Sequence, residues 1–154
     1  MRRNRIIPLL LLILAAAVAL LAILHLTSNR IVERGQVEII RKDQKVFIGG
    51  SDIARIPVKG ALVNGKGESV KIDAKGSLLA DVLVSAGIDP AEVAVLKISS
   101  QDEYSAEISG EELLEAGKVY LISAGEGSFT LVVFGDSNSK RKVKNVARIE
   151  VDPQ

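Results

Sequence analysis

The sequence has no cysteine and a single histidine, His25, and these two shortages exclude more chemistry than any other feature of its composition. Without a thiolate there is no cysteine nucleophile, no thiolate-ligated metal and no iron–sulfur cluster. Because His25 sits near the N-terminus, the rest of the chain cannot build a Ser-His-Asp triad, a Cys-His pair or a His-ligated zinc site from its own residues. Ser-Lys and paired-carboxylate chemistry stay open. No disulfide can form, so an exported domain must be held by its core. An excess of positive charge is also missing. With Arg2, Arg3 and Arg5 set aside, 17 basic residues face 19 acidic ones, which is not the balance of a general nucleic-acid binder. There is no internal repeat, and no low-complexity segment outside the N-terminal run.

That run is the first thing present. After "MRRNR", residues 6–24 read IIPLLLLILAAAVALLAIL, uncharged and almost wholly apolar. Nineteen residues at about 1.5 Å each reach roughly 29 Å, the thickness of the hydrocarbon core. Pro8 falls in the first turn, where its missing N–H costs little. A cleaved signal peptide has a shorter apolar core, about 7–15 residues, and a small-x-small cleavage site after it. Here "HLTSN" follows. The segment therefore reads as an uncleaved transmembrane signal-anchor over residues 1–27, followed by a juxtamembrane tether at 28–36. Arg2, Arg3 and Arg5 bias the N-terminus to the cytoplasm. Residues 37–152 become an extracytoplasmic domain on a single-pass cell-membrane protein, with His25 an interfacial residue.

Within that domain strand signals dominate. Residues 37–41 and 45–49 suggest a hairpin across Lys42–Gln44. Ser51 is placed to cap a short helical turn ending before Pro57. Residues 58–64 and 68–73 flank the turn signal "GKG". Residues 76–89 carry the clearest helical stripe, Leu78, Leu79, Val82, Leu83 and Ala86, with Ser77 as cap and Gly87 as stop. Further strands are expected at 93–99, 104–109, 119–124, 129–135 and 143–151, with a capping box at Ser109 and Glu112 and a stop at Gly117. In the last strand Val143, Ala147, Ile149 and Val151 share one face. Strand runs broken by single helices indicate an α+β domain.

Few stretches carry chemistry. "DEYSAE" (102–107) reads as a polar strand edge with Tyr104 half-buried. "DSNS" (136–139) lacks the glycine and distal glutamate of a calcium loop and reads as an ordinary turn. "VNGKGES" (63–69) lacks the phosphate-loop spacing and reads as a hairpin turn. The basic cluster Lys140, Arg141, Lys142 and Lys144 has two readings, a docking site for an anionic ligand or the solvated tip of a hairpin.

Four stretches in register add a resemblance. "SLLADVLVSAGI" (77–88), "SQDEYSAEISGEEL" (100–113), "FTLVVFGD" (129–136) and "VKNVARIEV" (143–151) resemble the oxidoreductase molybdopterin-binding domain of the sulfite oxidase family. The match runs over roughly residues 45–151. It implies a strand-rich sulfite oxidase-type α+β fold, with the basic segment near the chain end lying against a pterin pyrophosphate. Arg141 and Lys144 match basic positions of that family, with Lys140 and Lys142 as neighbours. The chain departs from the catalytic members in lacking the cysteine that ligates molybdenum, expected near 61–68, and in carrying Asn145 where the closing motif has tryptophan. Molybdopterin is therefore a cofactor implied by resemblance alone, and molybdenum thiolate ligation is excluded. The resulting expectation is a non-catalytic extracytoplasmic binding module for a small anionic ligand or an envelope protein. The alternatives are a molybdopterin-dependent oxidoreductase subunit and a purely structural envelope-interaction module.

Overall fold

The computed structural model describes residues 14–21, 35–125 and 127–154. The chain divides into two units, Met1–Ile31 and Val32–Gln154. In the first, residues 14–21 are helical, with Leu14, Val18, Leu20 and Leu21 exposed. Among the described residues no helix is long and apolar enough to cross a membrane. The rest of the apolar run read as an anchor lies outside the described residues.

The second unit is α+β, strand-rich, with two sheets and few short helices. Its elements are β1 (Gln36–Arg41), β2 (Gln44–Gly49), β3 (Ile56–Val63), β4 (Ser69–Leu78), α1 (Leu79–Ser85), a 3-10 turn (Pro90–Glu92), β5 (Val93–Ser100), β6 (Ser105–Ser109), α2 (Gly110–Leu114), β7 (Val119–Ser123), β8 (Phe129–Val133) and β9 (Val146–Pro153). One sheet has the order β2-β1-β9-β5-β6, the other β3-β4-β7-β8. All pairs are antiparallel except β1 with β9, which is parallel.

Period-two alternation decides what the five-stranded sheet buries. Val37, Ile39, Ile98, Ile108 and Ile149 enter the main core, where they meet Leu79, Val82 and Leu83 of α1 and Leu121 and Leu131 of the second sheet. Charged residues dominate the opposite face. Ile40, Glu150, Lys97 and Glu107 lie side by side across four strands, so unlike charges face each other. Glu38 on this face is only 5% exposed. Arg148 donates to it at 2.9 Å and Lys45 lies 3.1 Å away. Those partners hold its carboxyl below the usual carboxylate range against the opposing effect of burial.

The β3–β4 hairpin contributes to a separate small core instead. Val58 and Leu62 pack there with Ile122 and Val132, and Ile72, Tyr120 and Phe134 close its margin. Tyr120 and Phe134 meet edge-to-face at 5.7 Å. Phe134 lies over Gly60, where a Cβ would fall 2.4 Å from its ring.

Several local expectations change. The helix starts at Leu79, three residues into the expected range 76–89, because Gly76, Ser77 and Leu78 pair with Ile122, Leu121 and Tyr120. Ser77 is a buried strand residue and caps nothing. The helix end follows expectation: Gly87 (φ 76°) donates to the Val84 carbonyl and Ile88 to that of Leu83, a Schellman arrangement with Ile88 buried. Ser51 starts no helix, since Asp52 folds back and accepts from the Gly49 N–H at 2.9 Å. Gln44 joins β2, leaving a two-residue loop. Pro57 sits inside β3, which its edge position permits.

At Gly76 the crossing of β4 onto β7 leaves no room for a side chain: a Cβ would stand 2.4 Å from the Leu121 carbonyl oxygen and 2.9 Å from the Ile122 Cα. Gly76→Ala is expected to destabilise the domain by about 1–3 kcal/mol, as overpacking does. Gly67→Ala meets no atom within 4 Å but keeps a positive φ, so it should show only the smaller backbone penalty. Denaturant midpoints of the two variants check the order.

Candidate functional site

The basic cluster is not the tip of a hairpin. β8 belongs to the four-stranded sheet and β9 to the five-stranded one, so residues 134–145 form a crossover between sheets. Phe134 donates its N–H to the Lys118 carbonyl, and Gly135 (φ 88°) turns the chain out of β8. Val143 is fully buried, and its carbonyl accepts from Leu131 at 2.8 Å. Val143 is thus a core residue of the crossover. Asn145 (φ 52°) breaks the strand expected from 143, and β9 begins at Val146.

The crossover is fastened at several points. Inside it, Asn138 Oδ1 accepts from the Lys140 N–H at 2.9 Å, and the Ser139 carbonyl accepts from Lys142 at 3.1 Å. From β6's approach, the Tyr104 hydroxyl donates to the Lys140 carbonyl. The strongest fastening is Arg141. Its Nε donates to Asp136 Oδ2 at 2.9 Å and its Nη2 to Asp136 Oδ1. Glu112 of α2 takes the fork end, with Nη1 to Oε2 at 2.6 Å and Nη2 to Oε1 at 2.9 Å. Two carboxylates in fork geometry are the arrangement a guanidinium binds best.

The electrostatics follow from this geometry. The hydrogen bonds that Arg141 donates to Asp136, and then those to Glu112, raise its pKa further above its ordinary value. In return Arg141, with help from Lys118 at 3.3 Å, lowers Glu112 to about 2 against the opposing effect of burial. Lys118 is raised chiefly by its hydrogen bond to Glu115 at 2.8 Å. Ser109 Oγ accepts from the Glu112 N–H at 3.2 Å, so that half of the capping box forms. The Glu112 carboxylate turns to Arg141 and Lys118.

The four basic residues named from the sequence thus divide. Arg141 is engaged by Asp136 and Glu112. Lys140 and Lys144 are exposed and Lys142 is half-buried. Among the described residues none of these three lysines makes an ion pair. Glu112 and Asp136 are the partners that sequence reasoning missed. Glu112 carries a local signal for capping, and Asp136 one for a turn; neither pattern encodes the contact with Arg141, 29 residues from Glu112 and 5 from Asp136.

The other marked stretches resolve simply. Asn64 Oδ1 accepts from the N–H groups of Lys66 (2.8 Å) and Glu68 (2.9 Å). Donors that a phosphate loop would aim at its ligand are therefore already taken in "VNGKGES". Asp102 bonds the Ser100 hydroxyl, which, ahead of any other cause, lowers its pKa. Among the described residues no group of three or more carboxylate or histidine ligands is placed to hold a metal ion.

Glu112→Gln removes the charge that holds Arg141 and should cost about 1–3 kcal/mol of stability at neutral pH. The folded-state pKa of Glu112 lies below its ordinary value of 4.5, at about 2. Its contribution is therefore complete above about pH 4.5 and fades as pH falls through about 2. Denaturant unfolding of wild type and variant across pH 2–7 should show two curves that converge on the acid side.

Compared with known proteins, the chain matches no family model and no curated protein.

Proposed function

We propose that this chain is a single-pass, membrane-anchored protein with its N-terminus in the cytoplasm and its domain outside. In this reading the domain has a sulfite oxidase-type, molybdopterin-binding-like fold, performs no catalysis, and meets a small anionic ligand or an envelope protein through the crossover at 134–145. The observation that carries the reading is a fastened main chain bearing lysines that, among the described residues, stand outside any ion pair. Tyr104, Asp136 and Glu112 hold the segment, so Lys140, Lys142 and Lys144 ride on a loop whose ordering cost is already met by the fold.

Arg141 then positions the loop, and contact with an anion falls to the three lysines. Their charge suits a pyrophosphate, the anionic end of a pterin cofactor. No thiolate exists in the chain for a metal carried by such a cofactor. The lysines suit a binding role for that group, and the chain supplies no thiolate for its redox centre.

The test is calorimetric titration of the full chain, purified in detergent, with a pterin pyrophosphate. Saturable binding is expected, weakened at least tenfold by Lys142→Ala combined with Lys144→Ala and weakened by added salt. Absence of binding, or binding equal in the double variant, rejects the ligand reading.

A further inference from the structure

The edges of the two sheets are not equivalent. β3 carries Pro57, which removes a donor from its edge. Leu131 on β8 donates to Val143 of the crossover. β6 buries Ala106 and Ile108 and turns Ser105 and Glu107 to solvent. β2 is different. It is an edge strand with Val46 37% and Phe47 44% exposed, and its one charged side chain, Lys45, leans on Glu38 at 3.1 Å.

The register fixes which of its backbone groups are open. The two-residue loop makes Arg41 and Gln44 a hydrogen-bonded pair, so Gln44, Val46 and Ile48 direct their N–H and C=O groups to β1. Lys45, Phe47 and Gly49 direct theirs outward. At Gly49 both groups are already taken by Asp52: its side chain accepts from the Gly49 N–H at 2.9 Å, and its own N–H donates to the Gly49 carbonyl at 3.0 Å. That confirms the phase and closes one end of the edge. Among the described residues nothing bonds the outward N–H and C=O of Lys45 or Phe47. The open edge is therefore a short set of two donors and two acceptors, arranged symmetrically about Val46.

We infer that β2 is the interface through which two copies of this chain pair, antiparallel about a two-fold axis at Val46. In that register Lys45 lies opposite the partner's Phe47, and the two exchange both main-chain hydrogen bonds. The symmetry repeats this at Phe47 and the partner's Lys45, so every open group finds a mate. Val46 faces the partner's Val46 across a non-hydrogen-bonded position, bringing two partly exposed apolar side chains together. Each Lys45 ammonium comes beside the partner's Phe47 ring, a cation–π contact, and no like charges stand directly opposite. A second copy suits this edge because the hairpin loop at Asp43 and the plug at Gly49 stand three residues to either side of Val46, so a two-fold image about Val46 ends where the open edge ends. An interface this small belongs to the weak, transient class. The pairing does not depend on the anion reading of the crossover.

The absence of cysteine makes the register directly measurable. Directly opposed non-hydrogen-bonded residues have Cα atoms about 4.5 Å apart, within disulfide range. The full chain in detergent carrying Val46→Cys should oxidise to a covalent dimer at least tenfold faster than Lys71→Cys, an exposed position on β4. Lys45→Cys alone should stay near that control, since the two copies of residue 45 are offset by two residues along the strands. Mixing Lys45→Cys chains with Phe47→Cys chains should restore rapid linkage. Sedimentation of the unmodified chain should show a concentration-dependent dimer that Phe47→Lys abolishes while leaving the fold intact. A Val46→Cys rate no higher than the Lys71→Cys control overturns the inference. So does a monomeric wild type, or a dimer indifferent to Phe47→Lys.

Discussion

The fold depends on where its last strand goes. β9 lies in the middle of the five-stranded sheet, parallel to β1 on one side and antiparallel to β5 on the other. The first and last strands of the domain therefore become neighbours, and the sheet stays incomplete until the C-terminal residues arrive. Such pairing is costly in loop-closure entropy and is favourable only once the apolar face is buried. Ile149 and Val151 of β9 meet that condition, both lying in the main core. It follows that the segment before β9 must travel from one sheet to the other. The crossover at 134–145 is a consequence of topology before it is a candidate for anything else.

Crossing between sheets is also what makes Arg141 informative. A basic residue on a hairpin tip would be solvated and nearly free. On a crossover it passes α2, where Glu112 offers one carboxylate, and it bends back to Asp136 within its own segment. Its side chain is 29% exposed and the two carboxylates are 22% and 15% exposed, a range in which a charged hydrogen-bonded pair has real structural weight. The charge that stands out in the sequence as available is largely neutralised in the fold. Charge that remains free sits on its neighbours Lys140, Lys142 and Lys144, whose main chain Arg141 holds in place.

This division explains what could be read from the sequence and what could not. Strand positions were legible because alternation is a local signal: 93–99, 119–124 and the first hairpin all lie within a residue or so of β5, β7 and β1–β2. The stop at Gly87 was legible because a left-handed C′ residue is required there by helix geometry itself. Ser77 looks like a cap because a serine before an apolar stripe carries the same local pattern as one. Only the pairing of residues 76–78 with β7 turns that pattern into strand. The sequence pattern extends the final strand back to Val143 because that residue continues the apolar alternation, although the positive φ of Asn145 separates it from β9. The sheet order, and with it the difference between a hairpin tip and a crossover, has no local signal at all.

A common feature links the surroundings of Ser51, Glu112 and Asp136. In each case an acidic side chain satisfies backbone or guanidinium groups that the sequence left apparently unclaimed. Asp52 takes both outward groups of Gly49, the Glu112 carboxylate turns to Arg141 while its N–H stays with Ser109, and Asp136 turns back on its own loop. These carboxylates decide which polar groups of the surface are closed. By subtraction they also mark which stay open, and on β2 that leaves the short stretch between the hairpin loop and Asp52. Backbone groups on an edge are satisfied by water when nothing else is near, so openness alone has no consequence. Openness that is symmetric about one apolar residue, bounded by a plug and flanked by a cation and an aromatic ring, is a more specific pattern. Its natural complement is itself.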